Sequence, residues 1–243
     1  MSLLKSFFPV FATLSFILCA MISPAIAQQV SSSQPTKEAI MMEKIHWLGH
    51  SSFRIDAEKT IYLDPWKLKS GASKADIILI THDHYDHCSP SDVAAIQKEA
   101  SEIVCGKESL EKFSGSLHSA KPGASFKFGE IKIEAVRAYN VDKKFHPRKN
   151  DWVGYIITIG GVRIYHAGDT DFIPEMKDIK CDIALLPVSG TYVMTAEEAV
   201  KAVALLKPKF AVPIHWGEIV GSLKDAEYFK KNASCEVRIL KAE

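Results

Sequence analysis

The chain of 243 residues carries 30 Lys and Arg against 29 Asp and Glu, which gives a formal net charge of +1. This balance excludes the basic excess typical of nucleic-acid-binding proteins, and it offers no attraction to an acidic membrane surface. The five cysteines are widely spaced and follow no disulfide framework. We therefore expect a partner among small molecules rather than nucleic acids, and composition does not indicate an oligomeric state.

The first 27 residues are predicted to be a signal peptide. Lys5 supplies a short positive region, residues 7–22 are almost wholly apolar, and Ala25-Ile26-Ala27 matches a signal-peptidase site. We expect cleavage after Ala27, export to the periplasm or the medium, and no stable membrane anchor in the mature protein. The alternatives are an uncleaved anchor and lipidation at Cys19, although the residues before Cys19 lack the small side chains that lipoprotein processing prefers.

The remaining chain divides into two parts. Residues 28–42 are polar and rich in Ser and Gln, and they are predicted to form a disordered lead-in. Residues 43–243 are long enough for one sizeable domain that mixes helices and strands. No low-complexity tract follows residue 42.

The first half of this domain alternates predicted strands with predicted helices. Apolar runs predict strands at 45–55 (two strands around a Gly turn), 60–63, 76–80 and 103–105. Ser89-Pro90-Ser91-Asp92 predicts the start of a helix over 90–100, because it offers a capping residue, an early proline and early negative charge. A short helix is predicted at 107–113.

The second half is predicted to begin with consecutive strands and then to alternate strands with helices. Alternating apolar and polar residues predict strands at 125–128, 131–136, 152–159 and 162–165. The polar loop 139–151 between them is long enough to be functional. Further strands are predicted at 181–186, 210–214 and 236–240, and helices at 195–206, after a capping box at Thr195, and at 223–231.

A dense group of polar residues follows the strand at 76–80. His82 and His84 alternate by two, so in an extended chain they project to the same side. Asp86 and His87 follow around a turn and can reach a second position. Imidazole and carboxylate are ligands of Zn²⁺ and similar divalent ions. Two adjacent ions could generate a hydroxide and hold the oxygens of a displacement reaction.

Two more candidate ligands follow predicted strands. Asp169 lies in Gly168-Asp169-Thr170 after the strand at 162–165, and His215 follows the strand at 210–214. Taken singly, such an aspartate is more often a turn former and such a histidine more often structural. Together with the 82–87 group they complete a two-metal set in which Asp169 is the bridging carboxylate.

These residues resemble the metallo-β-lactamase superfamily. The match comprises H-x-H-x-D-H at residues 82–87, Gly-Asp-Thr at 168–170 and Pro-x-His at 213–215. Gly49-His50-Ser51-Ser52-Phe53 and Asp64-Pro65 also resemble the branch that contains ascorbate-phosphate lactonases and N-acyl phosphatidylethanolamine phospholipase D. The resemblance extends from about Ile45 to the end of the chain.

The resemblance implies an α+β or α/β fold, namely a four-layer αββα sandwich with the metal site at one edge. It implies two divalent metal ions, with Zn²⁺ expected and Mn²⁺ or Fe²⁺ as alternatives. The first ion would be held by His82, His84 and a third histidine, the second by Asp86, His87 and His215, and Asp169 would bridge them. Asp64 would either orient a ligand histidine or cap the end of its strand.

The third histidine departs from the family pattern. The family usually places it just after the strand at 131–136, where this chain has Asn140, and an amide oxygen is a poor zinc ligand beside imidazole. His146 lies six residues further along the same loop, and we predict that it replaces the missing ligand. The alternative is a weakened first site completed by Asn140 or water. His50 either faces the pocket or is structural, and His46, His118 and His166 are expected to be structural or exposed.

The sequence therefore predicts an exported hydrolase in which a dinuclear metal centre activates a hydroxide and Asp86 holds or relays the proton. Small lactones, esters or amides rank slightly above phosphodiesters as substrates. The alternative is a non-catalytic protein that binds metal or ligand through a degraded first site. Trp66, Trp152 and Trp216 are either an apolar wall for a substrate tail or ordinary core aromatics.

Overall fold

The computed structural model describes residues 34–243, in which two β-sheets share one apolar core. The first sheet has six strands in chain order: β1 Ile45–Gly49, β2 Ser52–Asp56, β3 Thr60–Leu63, β4 Ile77–Leu79, β5 Glu102–Gly106 and β6 Ser116–Ala120. Strands β1 to β3 are antiparallel neighbours, whereas β3 to β6 run parallel.

The second sheet repeats this arrangement. Its seven strands are ordered β13-β12-β11-β10-β9-β8-β7. Strands β7 to β10 are antiparallel neighbours, and β10 to β13 run parallel. The strand bounds are β7 Ser125–Phe128, β8 Ile131–Arg137, β9 Val153–Ile159, β10 Val162–His166, β11 Ile183–Pro187, β12 Phe210–Ile214 and β13 Glu236–Val237.

Helices pack outside the sheets. The α-helices are α1 Lys37–Met42, α2 Pro90–Ile96, α3 Ala196–Leu206 and α4 Leu223–Asn232, and short 3-10 helices span Lys107–Lys112, Arg148–Asn150 and Pro174–Asp178. Helix α3 begins as predicted, because Thr195 and Glu198 form a capping box with reciprocal bonds of 3.1 and 2.8 Å.

Side chains alternate between the two faces of each strand, so the two faces of the first sheet pack into different apolar cores. Ile61 and Leu63 of β3 pack into the core shared by both sheets and by α3 and α4, whereas Tyr62 points to the opposite face. There Tyr62 joins a second core that includes Val93 and Ile96 of α2. Helices thus cover the outer faces of two stacked sheets, and the predicted four-layer αββα sandwich is confirmed.

Helix α1 corrects the predicted start of the folded domain. The sequence predicts a disordered lead-in over 28–42, yet residues 37–42 are helical and Met41 and Met42 are buried in the shared core. The prediction is therefore wrong for this segment, because two buried methionines anchor a stretch whose composition is otherwise polar.

Three further differences concern one missed strand and the ends of two elements. Strand β6 was not predicted, because the edge-strand sequence Ser-Leu-His-Ser-Ala buries only Ala120 fully and lacks apolar alternation. Helix α2 ends at Ile96 rather than near residue 100, since Gln97 adopts an extended backbone with ψ of 143°. Strand β13 has two residues instead of the predicted five.

The predicted signal peptide, its cleavage after Ala27 and the alternative of lipidation at Cys19 lie outside the described residues, as do residues 28–33 of the predicted lead-in. Within residues 34–243, no helix combines the length and apolar character needed to cross a membrane. The four cysteines of this part of the chain are free thiols.

Replacing Met42 by alanine should lower the free energy of unfolding by about 2–4 kcal/mol, because the buried side chain would leave a cavity in the shared core. Ile40→Ala in the same helix is the matched control, since Ile40 is 48% exposed and should change stability by less than about 0.5 kcal/mol. Urea unfolding measures both. Equal losses for the two variants would contradict the docking of α1.

Candidate metal centre

The candidate ligands gather where strands of both sheets end. The 82–87 group follows β4 of the first sheet, while Asp169 follows β10 and His215 follows β12 of the second. Parallel strands bring their carboxyl ends to one edge of a sheet, so the side chains that follow them meet there. His215 Nε2 lies 3.0 Å from Asp169 Oδ2, and His87 Nε2 lies 3.3 Å from Asp169 Oδ1, which joins the two sheets at this edge.

The first group of donors consists of His82, His84 and His146. One nitrogen of each ring lies within 4.8 Å of the others, and His82 Nε2 is 3.1 Å from His84 Nδ1. The ring of Trp152 packs beside His82 and His84, with centroid separations of 4.8 and 4.9 Å. The structure thus brings His146 to the position predicted for the third histidine.

Asn140 supports His146 instead of replacing it. Asn140 Oδ1 accepts a hydrogen bond from the backbone N–H of His146 at 2.9 Å and lies 3.1 Å from His146 Nδ1. The carbonyl oxygen of Tyr192 lies 3.1 Å from the same Nδ1. Because both neighbours are acceptors, Nδ1 must carry the proton, and the lone pair of Nε2 is left free.

The second group consists of Asp86, His87, His215 and also His50, whose role the sequence left open. One donor atom of each lies within 4.8 Å of the others. Asp86 Oδ2 is 3.1 Å from His50 Nε2 and 3.5 Å from His87 Nε2. His50 is fully buried, and its ring centroid lies 4.0 Å from that of His215. No local pattern predicts this contact, because His50 precedes Asp86 by 36 residues in the chain.

Asp169 lies between the two groups. Its Oδ2 is 3.2 Å from His146 Nε2 and 3.9 Å from His82 Nε2 on one side, and 3.0 Å from His215 Nε2 on the other. The carboxylate is almost wholly buried. Burial raises its pKa, but the neighbouring imidazoles of His215 and His87 outweigh this effect and lower the pKa well below its ordinary value. Asp169 is therefore an anion that faces both groups.

These donors fit divalent metal ions. Three buried atoms at the centre of the cluster, namely His87 Nε2, His146 Nε2 and Asp169 Oδ1, have no hydrogen-bond partner among the described residues. Orphaned buried polar atoms are rare and costly, and these three converge on one place. Imidazole nitrogens with carboxylate oxygens are the donor set that Zn²⁺ and related ions accept.

Asp64 contacts a ligand histidine, as one of its two predicted roles requires, and its carboxylate holds the end of the neighbouring strand β4 and not that of its own strand β3. Its Oδ2 accepts hydrogen bonds from His87 Nδ1 and Thr81 Oγ1, both at 2.7 Å, and its Oδ1 accepts from the Thr81 backbone N–H at 2.8 Å. The carboxylate therefore holds the end of β4 and also turns His87 Nε2 toward the centre. Thr81 Oγ1, whose proton goes to Asp64, accepts in turn from His82 Nδ1 at 3.0 Å.

The surroundings set the protonation of the rings. Burial and the nearby His87 lower the pKa of His82, and burial with His146 lowers that of His84, so both are neutral at pH 7. Burial opposes the charged form of His87 as well, but Asp169 and Asp64 outweigh it and raise the pKa of His87. His87 therefore carries an additional proton beside Asp169 at neutral pH.

The remaining histidines are structural or peripheral. His166 is buried with both ring nitrogens engaged, by the carbonyl of Ser51 at 2.9 Å and by the N–H of Gly168 at 3.2 Å. His46 pairs with Glu243 at 2.6 Å, and His118 lies on the edge strand β6, 2.7 Å from Glu102.

A cavity of about 200 Å³ opens above the donors. It is lined by His84, Tyr85, Asp86, Phe145, His146, Asp169, Tyr192, His215 and Ile219. The three tryptophans suggested by the sequence as an apolar wall are absent from this lining. Trp66 and Trp216 are buried, Trp216 stacks on Trp47 at 4.8 Å, and Trp152 instead backs the ligand rings.

Comparison with known proteins identifies relatives of this chain. Residues 44–215 match the model of the beta-lactamase superfamily domain. A UPF0173 metal-dependent hydrolase from Pyrococcus furiosus is 32% identical over 208 residues, which cover 78% of this chain and 92% of that protein. Another from Staphylothermus marinus is 37% identical and covers 78% of this chain and 90% of its own length.

Solved structures give the same result. The crystal structure of a Parabacteroides distasonis protein proposed to be a metal-dependent hydrolase superposes with a TM-score of 0.74 at 38% identity, covering 82% of this chain and 93% of that one. An isothiocyanate hydrolase from Delia radicum gut bacteria shares the fold, with a TM-score of 0.62 at 15% identity, covering 82% and 96% of the two chains. The chain therefore belongs to the metallo-β-lactamase superfamily and is one of its metal-dependent hydrolases.

Proposed function

We propose that the chain is an exported hydrolase that uses two divalent metal ions, with Zn²⁺ expected, on a small ester, lactone, amide or phosphodiester. The observation that carries the proposal is the placement of Asp169, whose carboxylate lies between two groups of donors. Export has separate support, which is the leader pattern of residues 1–27.

Each group would hold one ion, and such ions would lower the pKa of a bound water molecule to about 7 and polarise the oxygen under attack. The chain's own residues fix the positions. The first ion would be held by His82, His84 and His146, and the second by Asp86, His87 and His215. Asp169, which faces donors of both groups, would be shared between them.

Asp86 is the proposed proton carrier. It lines the cavity, and burial raises its pKa less than the hydrogen bond from His50 and the nearby His87 ring lower it, so it is ionised at neutral pH. In hydrolysis the oxygen of water bonds to the acyl carbon, the bond to the leaving group breaks, and Asp86 passes one water proton to that leaving group. His50, 3.1 Å away, would hold the carboxylate in position for this transfer.

Two observations rank the candidate functions. Among residues 34–243, no Lys or Arg side chain lines the cavity, which favours a carbonyl substrate over a phosphodiester, since phosphate recognition usually uses these cations. The location of His146 disfavours the alternative of a non-catalytic protein with a degraded first site, because its Nε2 is free and faces Asp169 at 3.2 Å.

The proposal predicts close to two metal ions per chain after loading with Zn²⁺ or Mn²⁺, and hydrolysis within a panel of esters, lactones, amides and phosphodiesters. His146→Ala should reduce the metal content toward one ion and lower kcat/KM by about 100-fold or more, since a direct donor is lost. His118→Ala removes a histidine outside the site and should change neither value. Mass spectrometry of the metal content and initial rates measure these effects. A wild-type content of one ion or none, with no effect of His146→Ala, would refute the dinuclear centre.

Asp64→Asn should weaken metal binding by about 10–100-fold while the fold is retained. The Thr81 N–H requires an acceptor at the Oδ1 position, so the new amide nitrogen takes the position of Oδ2 beside His87. His87 Nδ1 must then accept, so a neutral His87 keeps its proton on Nε2, the atom that faces Asp169 and would bind the ion.

Asp76→Asn is the control for this substitution, because Asp76 also binds a strand backbone, at 2.8 Å from the Thr60 N–H, but contacts no ligand histidine. Competition with a chromophoric chelator measures metal affinity, and circular dichroism measures folding. Equal metal affinities for the two variants would show that Asp64 acts only on the strand end.

Metal affinity should rise with pH. Asp169 and Asp64 raise the pKa of His87 despite its burial, so an ion bound at Nε2 must displace a proton at neutral pH. Burial lowers the pKa of His82, so His82 is already neutral there and releases no proton. Calorimetry with Zn²⁺ in two buffers of different ionisation enthalpy should find about one proton released at the second position. Affinity that is independent of pH between about 6 and 8 would contradict this assignment.

A further inference from the structure

We propose that four apolar side chains around the cavity mouth select neutral esters or lactones whose acyl portion is itself apolar, an inference that rests on the proposed hydrolase function. These residues are Tyr85, Phe145, Tyr192 and Ile219, and we call them the apolar collar. They lie on four different loops that converge from both sheets.

The exposure of the collar is unusual. Tyr85 is 67% exposed, Phe145 48% and Ile219 37%, although each has a large apolar side chain. Single exposed apolar residues are ordinary, but several that line one concave opening are typical of a binding surface. Phe145 and Tyr192 meet edge to face with centroids 4.6 Å apart, so this part of the collar is already assembled.

The collar is continuous with the proposed reaction site. The same cavity is lined at its base by Asp86, His146, Asp169 and His215. A molecule that places its scissile carbonyl among these donors must therefore pass its substituents along the collar. This continuity makes the substrate, rather than a second protein chain, the occupant that we infer.

The charges of the cavity favour a neutral substituent. No Lys or Arg from the described part of the chain contributes to the lining, so a free carboxylate or phosphate on the acyl portion would find no cationic side chain there. The hydroxyl groups of Tyr85 and Tyr192 are the polar groups that the collar adds. An alkyl or aryl chain would instead bind favourably, because both its own apolar surface and that of the collar would be removed from water.

The test uses two series of probes with the metal-loaded protein. The first is p-nitrophenyl esters from acetate to octanoate, which report hydrolysis. The second is methyl ketones of the same chain lengths, which present a similar carbonyl that cannot be hydrolysed and report binding by ligand-observed NMR. We expect kcat/KM to rise and the ketone Kd to fall by about two- to fourfold for each added methylene.

Phe145→Ala combined with Ile219→Ala should remove this dependence on chain length. The matched control is Tyr228→Ala combined with Leu223→Ala, because these side chains are 43% and 50% exposed on α4, outside the cavity. The control should keep the dependence. Circular dichroism of both double variants checks that the surface substitutions leave the fold intact.

The outcomes separate the two proposals. Dependence of ketone binding on chain length without hydrolysis of any ester would support the collar and overturn the hydrolase assignment for this substrate class. Ester hydrolysis that ignores chain length, or that is unchanged in the Phe145→Ala and Ile219→Ala double variant, would overturn the collar alone. A wild-type dimer that dissociates in this double variant would also overturn it, since the collar would then be an interface between copies.

Discussion

The centre depends on one constraint, namely that its ligand imidazoles must turn their inner nitrogens toward the middle of the site beside Asp169. For four of the rings, a hydrogen bond to the outer nitrogen fixes the ring orientation and, where the ring is neutral, the tautomer that leaves the inner nitrogen free. The outer partners come from different parts of the chain: Thr81 for His82, Asp64 for His87, Asn140 and Tyr192 for His146, and Ser189 for His215.

Strained backbone at the strand ends is part of the same arrangement. His50, Asp64 and His215 have positive φ angles of 50°, 44° and 57°, a conformation that residues other than glycine adopt at a cost of about 1–3 kcal/mol. Neighbouring contacts offset this cost. The carbonyl of His50 accepts from the N–H of His215 at 2.9 Å and from Trp47 Nε1 at 3.0 Å. The two sheets are therefore bonded to each other directly beneath the metal donors.

The parts of this site that are local in the chain could be predicted from the sequence. Residues 82–87 carry their spacing with them, and the strand ends that present Asp169 and His215 follow clear apolar runs. The support given by Asn140 could not be predicted, because it depends on the loop folding back so that an amide meets a ring six residues away. The contact of His50 with Asp86 depends on the packing of distant segments.

Dependence on contacts between distant segments also explains why helix α1 and strand β6 were missed. Helix α1 and strand β6 are held mainly by tertiary contacts at their ends or edges, and neither shows a periodic apolar pattern of its own. For the tryptophans, the sequence allowed either an apolar wall or ordinary core aromatics. Trp66 and Trp216 lie near ligands along the chain, yet both side chains are buried, as expected of core aromatics.

The collar and the ligands are immediate neighbours along the chain. Tyr85 lies between His84 and Asp86, and Phe145 precedes His146. A single substitution at residue 85 or 145 can therefore alter the shape of the entrance while the adjacent donors remain unchanged. During divergence within this superfamily, such an arrangement would let substrate range drift one residue at a time, whereas insertions or deletions in the same loops would displace the metal. Directed evolution of new specificities should accordingly sample point substitutions at these two positions and keep the loop lengths constant.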